Sequence, residues 1–166
     1  MKDFHLYFLL TVLMLIVESS WKVVEATSLD KTWEDRASGQ TVCEAVIRAI
    51  RRSQIFTDDY DFLPRIAFIE SNFGEKAYTF RDNYFGGIWQ LNEEEFLYTQ
   101  DDKWSAFHTK ILNSFKIDWK IVQWVDLLKP MYSGLGARLY LQTITNSLPQ
   151  TMVCVNPLTV VLNYEL

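Results

Sequence analysis

Glu70 is the residue whose position in the sequence most clearly suggests chemistry. At 100° of rotation per helical residue, its side chain points about 40° away from that of Ile66. That direction falls inside an arc of hydrophobic side chains that also contains Leu63, Ile69 and Phe73. Burial of a lone carboxylate is costly unless the group is paired, hydrogen-bonded or protonated. Because removal from water raises the pKa of a carboxyl group, a glutamate buried in this arc is a candidate general acid near neutral pH.

A structural role is the alternative interpretation of Glu70. In that role its carboxylate pairs with an arginine such as Arg65 or Arg81, or accepts hydrogen bonds from backbone amides. Structural ion pairs perturb pKa values as catalytic sites do, so the position of Glu70 alone does not separate the two roles.

A second segment suited to ligand contact follows the loop at residues 74–87. This loop is rich in turn-forming residues and ends in Gly86 and Gly87, and Ile88, Trp89 and Gln90 come directly after it. Paired glycines permit backbone geometry, and close approach of a ligand, that a side chain would obstruct. The sequence therefore offers a candidate acid and a candidate ligand-lining segment.

Helical spacing of hydrophobic residues predicts the elements that must hold these two segments. The spacing indicates amphipathic helices over residues 41–53, 63–73 and 110–125. Asp61 is the predicted N-cap of the second helix, with Pro64 in its first turn.

Two further segments are also predicted to be helical. Residues 93–96 resemble the charged side of a helix, and the mixture of small and large residues over 131–141 indicates a helix packed closely on another. Within the predicted helix at 110–125, Trp119 is expected in the core, because aromatic residues at helical spacing usually pack there. The same pattern leaves the position of Trp124 undecided.

Residues 1–26 have the layout of a secretory signal peptide. Lys2 precedes an apolar run at residues 6–17 that is shorter than the hydrocarbon core a membrane-spanning helix must cross. We therefore expect removal of this segment, an extracellular location, and no membrane association of the mature chain. The remaining residues suit one small domain with its own core.

Composition narrows the classes of partner. The formal net charge of -5 argues against nucleic acid, because neutralisation of phosphates requires a basic face. Two histidines, one of them in the signal segment, leave too few ligands for a zinc site. We expect neither a metal nor a cofactor.

The two cysteines, Cys43 and Cys154, allow two interpretations. In an oxidising compartment they can form a single disulfide across a long loop. Alternatively, they are two buried residues that never meet, since free cysteine is often buried.

The segments that carry Glu70 and Gly87 resemble those of one family. Residues 66–74, Ile-Ala-Phe-Ile-Glu-Ser-Asn-Phe-Gly, are similar to the glutamate-serine helix of soluble lytic transglycosylase domains and goose-type lysozymes. Residues 87–90, Gly-Ile-Trp-Gln, resemble their Gly-Leu-Met-Gln segment, at close to the same separation from the glutamate. Further similarity, to secreted animal proteins that carry this domain, covers residues 62–100, 117–119 and 128–135.

The resemblance implies a mainly α, lysozyme-like fold in a single small domain over residues 27–147. Glu70 matches the catalytic acid of the family. The substrate-binding residues are expected to be Ser71, Tyr84, Gly87, Trp89 and Gln90. The β-prone residues 148–166 lack the further helix rich in Tyr and Trp with which the family continues, so they are interpreted as an atypical tail of a truncated domain.

The implied activity is cleavage of the β-1,4 bond between N-acetylmuramic acid and N-acetylglucosamine in bacterial cell-wall polysaccharide, for bacterial defence or digestion. A glycosidase pair would need a second carboxyl group ~5 to 9.5 Å away, and Asp82 is the best candidate, although a loop aspartate is more simply a solvated one. Lytic transglycosylases need one acid, which protonates the glycosidic oxygen and then acts as base while a hydroxyl of the muramic sugar closes an anhydro ring. Lysozyme-like hydrolysis by water is the alternative outcome.

A second function is open on the same residues. The acidic charge and the atypical tail favour a secreted glycan-binding protein without catalytic activity on a lysozyme-like fold. In either case we expect a monomer.

Overall fold

The computed structural model describes residues 30–59 and 61–144. The expected signal peptide at residues 1–26 and the expected tail at 148–166 lie outside these residues. The chain divides into two units between Lys31 and Thr32, and all the α-helices named below belong to the second unit. Within the described residues the chain is mainly helical and contains no strand, so the prediction of a mainly α protein is confirmed for this part.

Five α-helices are present in the described part of the chain: α1 Gln40–Ser53, α2 Phe62–Ser71, α3 Glu93–Thr99, α4 Ser105–Phe115 and α5 Pro130–Ile144. Short 3-10 helices cover Lys31–Trp33, Asp102–Trp104 and Trp124–Leu128. The helices predicted at 41–53, 63–73 and 131–141 are confirmed, with ends that differ by up to three residues.

Helix α5 is the central helix of the described part. It is buried on most sides, and α1, α3 and the 3-10 helix Trp124–Leu128 pack against it. Gly134 permits this close packing, since a Cβ atom there would lie 2.5 Å from Cγ1 of Val46 and 3.2 Å from the ring of Trp89. A helix buried on most of its surface needs small residues where its neighbours cross. Across residues 30–59 and 61–144, no helix has the length and hydrophobicity to cross a membrane.

Helix α1 presents one apolar face to this core. Val42, Val46 and Ile50 are buried, whereas Arg48 and Arg52 are exposed. The one-sided pattern is that of a surface helix, and it explains why the spacing of hydrophobic residues identified α1.

Cys43 lies on the buried face of α1, where it has no exposed surface and forms no disulfide within the described part of the chain. Burial raises the pKa of the Cys43 thiol to about 12, and the charges of Glu44 and Glu75 act in the same direction. Cys154 falls outside the described residues, so the disulfide stays a prediction.

The N-terminus of α2 is capped by Asp59 and not by Asp61 as predicted. The Asp59 carboxylate accepts a hydrogen bond from the backbone N–H of Leu63 at 3.2 Å and is 3% exposed. Asp61 precedes the helix in a left-handed conformation with φ 63°, and its side chain caps nothing. Arg51 pairs with both carboxylates, at 2.6 Å from Asp59 and 2.9 Å from Asp61. Arg51 therefore holds both aspartates against α1, and only Asp59 also reaches the first turn of α2.

The helix predicted over residues 110–125 is wrong in its second half. Helix α4 ends at Phe115 because Lys116 adopts a left-handed conformation with φ 60°. Trp119 is fully buried, as predicted, and its indole N–H donates to the hydroxyl of Thr99 at 3.0 Å, but it belongs to an irregular segment. A non-helical segment that covers a core can direct hydrophobic residues inward at similar intervals, so spacing alone does not distinguish it from a helix.

Candidate active site

Glu70 lies in the last turn of α2 with an exposed side chain. The buried face of the helix includes Leu63, Ala67 and Ser71, whereas Ile69 is 53% exposed. The prediction that Glu70 is buried among hydrophobic side chains is therefore wrong. The arc of hydrophobic side chains predicted from the helical rotation is present, but much of it faces solvent, because the packing of neighbouring segments decides which side of a short helix is buried.

The carboxylate of Glu70 has no ion pair and no side-chain hydrogen bond within the described part of the chain. The structural alternative, in which Arg65 or Arg81 pairs with it, is not formed there. Its backbone is held firmly, since the hydroxyl of Tyr78 donates to the carbonyl oxygen of Glu70 at 2.7 Å. Lys76 Nζ donates in the same way to the carbonyl oxygen of Ile69 at 2.6 Å. Glu70 thus combines a fixed backbone with a carboxylate available to a ligand.

Ser71 connects α2 to the Gly87 segment. Its hydroxyl donates to the carbonyl oxygen of Ile88 at 2.6 Å, lies 3.1 Å from the carbonyl oxygen of Ala67, and accepts from the backbone N–H of Gly74 at 2.7 Å. Ser71 has no exposed surface. In this structure Ser71 holds α2 and the Gly87 segment together, and its predicted contact with substrate stays a prediction.

Gly87 is buried at a point where no side chain fits. Its φ is +63°, and a Cβ atom would lie 2.1 Å from the carbonyl oxygen of Leu127 and 2.5 Å from Oγ of Ser133. The Ser133 hydroxyl also donates to the carbonyl oxygen of Gly86 at 3.2 Å. The paired glycines therefore allow close contact between the loop and α5. In the described structure they do not provide space for a ligand.

Trp89 belongs to the hydrophobic core. It is 3% exposed, and its indole N–H donates to the carbonyl oxygen of Leu63 at 2.9 Å. Its ring lies beside Gly134 of α5. Like Ser71, it fixes the segment of Gln90 against α2, and its predicted contact with substrate stays a prediction.

Gln90 is half-buried, and the protein uses its side-chain amide on both sides. Nε2 donates to the carbonyl oxygens of Gly87 at 2.6 Å and Thr79 at 3.1 Å. Oε1 accepts from Nη1 of Arg81 at 2.8 Å. The amide thus closes the loop between Thr79 and Gln90 and fixes the position of Arg81.

Tyr84 and Arg81 form a stacked pair beside Gln90. The guanidinium carbon of Arg81 lies 3.5 Å from the centroid of the Tyr84 ring. The Tyr84 hydroxyl donates to the carbonyl oxygen of Gln90 at 2.5 Å. On the other side, Trp124 meets the ring of Tyr84 edge-on at 5.4 Å and that of Phe85 at 5.3 Å. The sequence left the position of Trp124 undecided. In the structure Trp124 is half-buried and packs against the ring of Tyr84.

The charge of Glu70 acts on the hydroxyl of Tyr84 in this pair. Burial raises the pKa of Tyr84, the charge of Arg81 opposes that effect, and the charges of Glu95 and Glu70 add to it. Glu70 therefore lies within electrostatic range of the Tyr84 hydroxyl. We call the surface formed by Glu70, Tyr78, Arg81, Tyr84 and Gln90 the Glu70 face.

Glu95 is the other carboxylate whose charge acts on Tyr84. Asp82, the candidate for a second catalytic carboxyl group, is an exposed loop residue, as its simpler interpretation expected. Glu95 is part of a capping box at the start of α3, where its side chain accepts from the backbone N–H of Asn92 at 2.9 Å. Its primary role is therefore to stabilise a helix end.

The sequence did not identify Tyr78 as a site residue, and it gave Arg81 only as a partner for Glu70. Both lie in an irregular loop, where no periodic pattern exists to relate side chains to one another. The aromatic and cationic residue types were visible, but their distances from Gln90 were not.

A shallow groove lies apart from this face. It has a volume of about 490 Å³ and is lined by Glu44, Ile47, Arg48, Arg51, Arg52 and Pro64. No cluster of three acidic, histidine or cysteine residues suitable for a metal ion occurs within the described ranges.

Comparison of the chain with protein-family models, curated proteins and solved structures finds no match in any of the three.

Proposed function

We propose that this protein is a secreted lysozyme-like enzyme that cleaves the β-1,4 bond between N-acetylmuramic acid and N-acetylglucosamine. The observation that carries the proposal is the carboxylate of Glu70, which has no partner in the described residues, on a firmly held backbone and within electrostatic range of Tyr84, the ring over which Arg81 lies. The sequence resemblance to lytic transglycosylase domains supports it, and the lysozyme-like fold is part of the same proposal.

The reaction needs one acid. A protonated Glu70 would donate its proton to the glycosidic oxygen as the bond to the leaving sugar breaks. The resulting carboxylate would then accept the proton of a hydroxyl on the muramic sugar, which closes an anhydro ring. Because nucleophile and leaving group belong to one bound sugar chain, the step is intramolecular. Attack by water in place of that hydroxyl gives the hydrolytic product of a lysozyme.

Because Glu70 is exposed, the substrate itself must exclude water from its carboxyl group. A glycan lying over the Glu70 face would exclude water from the carboxyl group, as closure of a site does in other enzymes. The exposed ring of Tyr78, at 46%, and the half-buried ring of Tyr84 offer the flat apolar surfaces on which a sugar ring packs.

The direct test is clearance of a turbid suspension of purified bacterial cell walls by the full mature chain. We expect clearance by the wild type and its loss in Glu70→Gln, which removes the proton donor and keeps the shape. Glu94→Gln is the matched control, because Glu94 is also exposed but lies at the start of α3. Equal clearance by wild type and Glu70→Gln, or none by the wild type, would contradict the proposal.

The products separate the two outcomes of cleavage. Mass spectrometry of the released muropeptides shows anhydro-muramic ends after transglycosylation and reducing ends after hydrolysis. Both outcomes depend on Glu70, so either is consistent with the proposed role of this residue.

A glycan-binding protein without catalytic activity is the second candidate function. The exposure of Glu70 favours it, because an acid that stays in water is a poor proton donor at neutral pH. This alternative predicts that wild type and Glu70→Gln bind glycan strands equally and that neither releases soluble products.

A further inference from the structure

Arg81 is held in one orientation by contacts on one side of its guanidinium group. Nη1 donates to the carbonyl oxygen of Tyr78 at 3.0 Å and to Oε1 of Gln90 at 2.8 Å. The plane of the group lies over the ring of Tyr84, at 3.5 Å from its centroid. Three partners thus fix a side chain that is flexible on most protein surfaces. A ligand that binds it loses less conformational entropy than one that must first order a free arginine.

The guanidinium group also hydrogen-bonds the Tyr84 hydroxyl, which acts to lower the pKa of that hydroxyl. No other acceptor meets Nε or Nη2 within residues 30–59 and 61–144, and the side chain is exposed. These two nitrogens form the planar fork of donors that binds both oxygens of a carboxylate. Apart from the Tyr84 hydroxyl, these donors have no acceptor among the described residues, so they are available to a carboxylate of a ligand.

Negative charges near Arg81 oppose the binding of an anionic ligand, so such a ligand needs a contact with a cation. Glu70 and Glu95 both act on Tyr84, so an anionic ligand on this face meets two negative charges. Neither of them pairs with Arg81 in the described part. Lys76, the other cation beside Glu70, already donates to the carbonyl oxygen of Ile69. Arg81 is thus the cation on this face whose donors are available to a ligand.

We propose that Arg81 binds a carboxylate of the glycan and makes the Glu70 face selective for acidic over neutral sugar chains. The inference rests on the proposed function, since it names the substrate class of the same site. A chain that alternates N-acetylglucosamine with N-acetylmuramic acid carries a free lactyl carboxylate on every second sugar wherever no stem peptide is attached to that group. A neutral chain of N-acetylglucosamine offers no partner for the fork.

The test is calorimetric titration of the full mature chain with two matched ligands. One is a glucosaminyl-muramyl oligosaccharide with free carboxylates, and the other is its methyl ester. We expect the wild type to bind the acid about tenfold more tightly than the ester, as a charge-assisted bidentate contact allows. Arg81→Gln should bind both ligands with the affinity that the wild type has for the ester.

Two further variants separate recognition from structure. Arg81→Lys keeps the charge but not the fork and should retain only part of the preference for the acid. Arg65→Gln removes an exposed arginine of α2 and should leave both affinities unchanged. Unchanged affinity of Arg81→Gln for the ester shows that the face itself is intact.

Each result decides the inference. Three results overturn it. In the first, the wild type binds acid and ester equally. In the second, Arg81→Gln loses affinity equally for both ligands, and in the third, the wild type binds neither ligand. A preference for the acid that disappears in Arg81→Gln supports it, whether or not the chain cleaves cell walls. If walls are cleaved but acid and ester bind equally, only the inference fails. If the acid is preferred but no wall is cleaved, only the catalytic part of the proposed function fails.

Discussion

Helix α5 and the Glu70 face use their polar groups in opposite ways. In α5, Arg138 is 2% exposed, and its guanidinium group donates to the carbonyl oxygen of Thr57 at 2.9 Å. The guanidinium carbon of Arg138 lies 4.8 Å from the centroid of the Phe56 ring. Burial lowers the pKa of Arg138, and the charges of Asp59 and Asp58 offset part of that effect. On the Glu70 face, Glu70 has no partner in the described part, and Arg81 keeps donors that have no acceptor there other than the Tyr84 hydroxyl. The buried guanidinium of Arg138 is satisfied by the protein, whereas the Glu70 carboxylate is left for a ligand.

This contrast assigns stability to one region and function to the other. Substitution of a residue that packs on α5 removes contacts that the fold depends on. Substitution of an unpaired group on the face removes nothing from the folded state. Measured free energies of unfolding therefore test the comparison directly.

The largest effect on stability is expected for Trp119→Ala. Trp119 is fully buried, lies beside Gly136 of α5 and meets the ring of Phe96 at 6.1 Å. Loss of a buried tryptophan costs about 3 to 5 kcal/mol, which we expect to see in chemical denaturation. Ile121→Ala is the control, because Ile121 is 76% exposed in the same irregular segment and should change stability by less than about 0.5 kcal/mol. Similar losses in both variants would contradict the central position of α5.

A pH-dependent effect is expected for Cys43. Its thiol has an ordinary pKa of 9.0 and a folded pKa of about 12, so below pH 9 it is neutral in both states and the stability is complete. Above pH 9 the unfolded chain ionises first, and the free energy of unfolding should fall by up to about 1.4 kcal/mol per pH unit until the folded thiol titrates. The measurement compares urea denaturation of wild type and Cys43→Ala between pH 8 and about 11. Parallel curves would show that no buried thiol titrates, the result expected if Cys43 pairs with Cys154.

A smaller effect is expected for Ser71→Ala, which lies at the boundary between the two regions. The substitution leaves the buried carbonyl oxygen of Ile88 and the N–H of Gly74 without the Ser71 hydroxyl, at a cost of about 2 kcal/mol. Ser114→Ala, on the exposed side of α4, is the matched control. If Ser71 positions Glu70 and does not contact substrate, the variant should lose activity in proportion to its folded fraction. Loss of activity in a fully folded population would instead support the predicted contact of Ser71 with substrate.

The smallest effect on stability is expected for Glu70→Gln. Since the carboxylate has no partner in the described residues, the free energy of unfolding should change by less than about 0.5 kcal/mol. Thermal denaturation, monitored by circular dichroism, checks this. A loss above about 1 kcal/mol would mean that Glu70 supports the fold and would remove the distinction between the face and the core.

The positions of α1, α2 and α5 could be predicted from the sequence because each presents a regular apolar face or a run of small and large residues. The helix over residues 110–125 could not, because the left-handed turn at Lys116 interrupts it while its hydrophobic spacing continues. The capping aspartate was also misassigned, since both Asp59 and Asp61 precede α2 and pair with Arg51, and only the folded backbone places Asp59 at the N–H of Leu63.

For the site, the sequence by itself determined the candidates: Glu70 as the carboxylate and the segment from Gly87 to Gln90 as its neighbour. The tertiary structure decided their roles. Ser71, Gly87 and Trp89 are buried and position the site, whereas Glu70 is exposed. The physical reason is that α2 is short and apolar on more than one side, so its own pattern does not define an inner face. Contacts with the Gly87 segment and α5 define it, and they form only when the whole chain has folded.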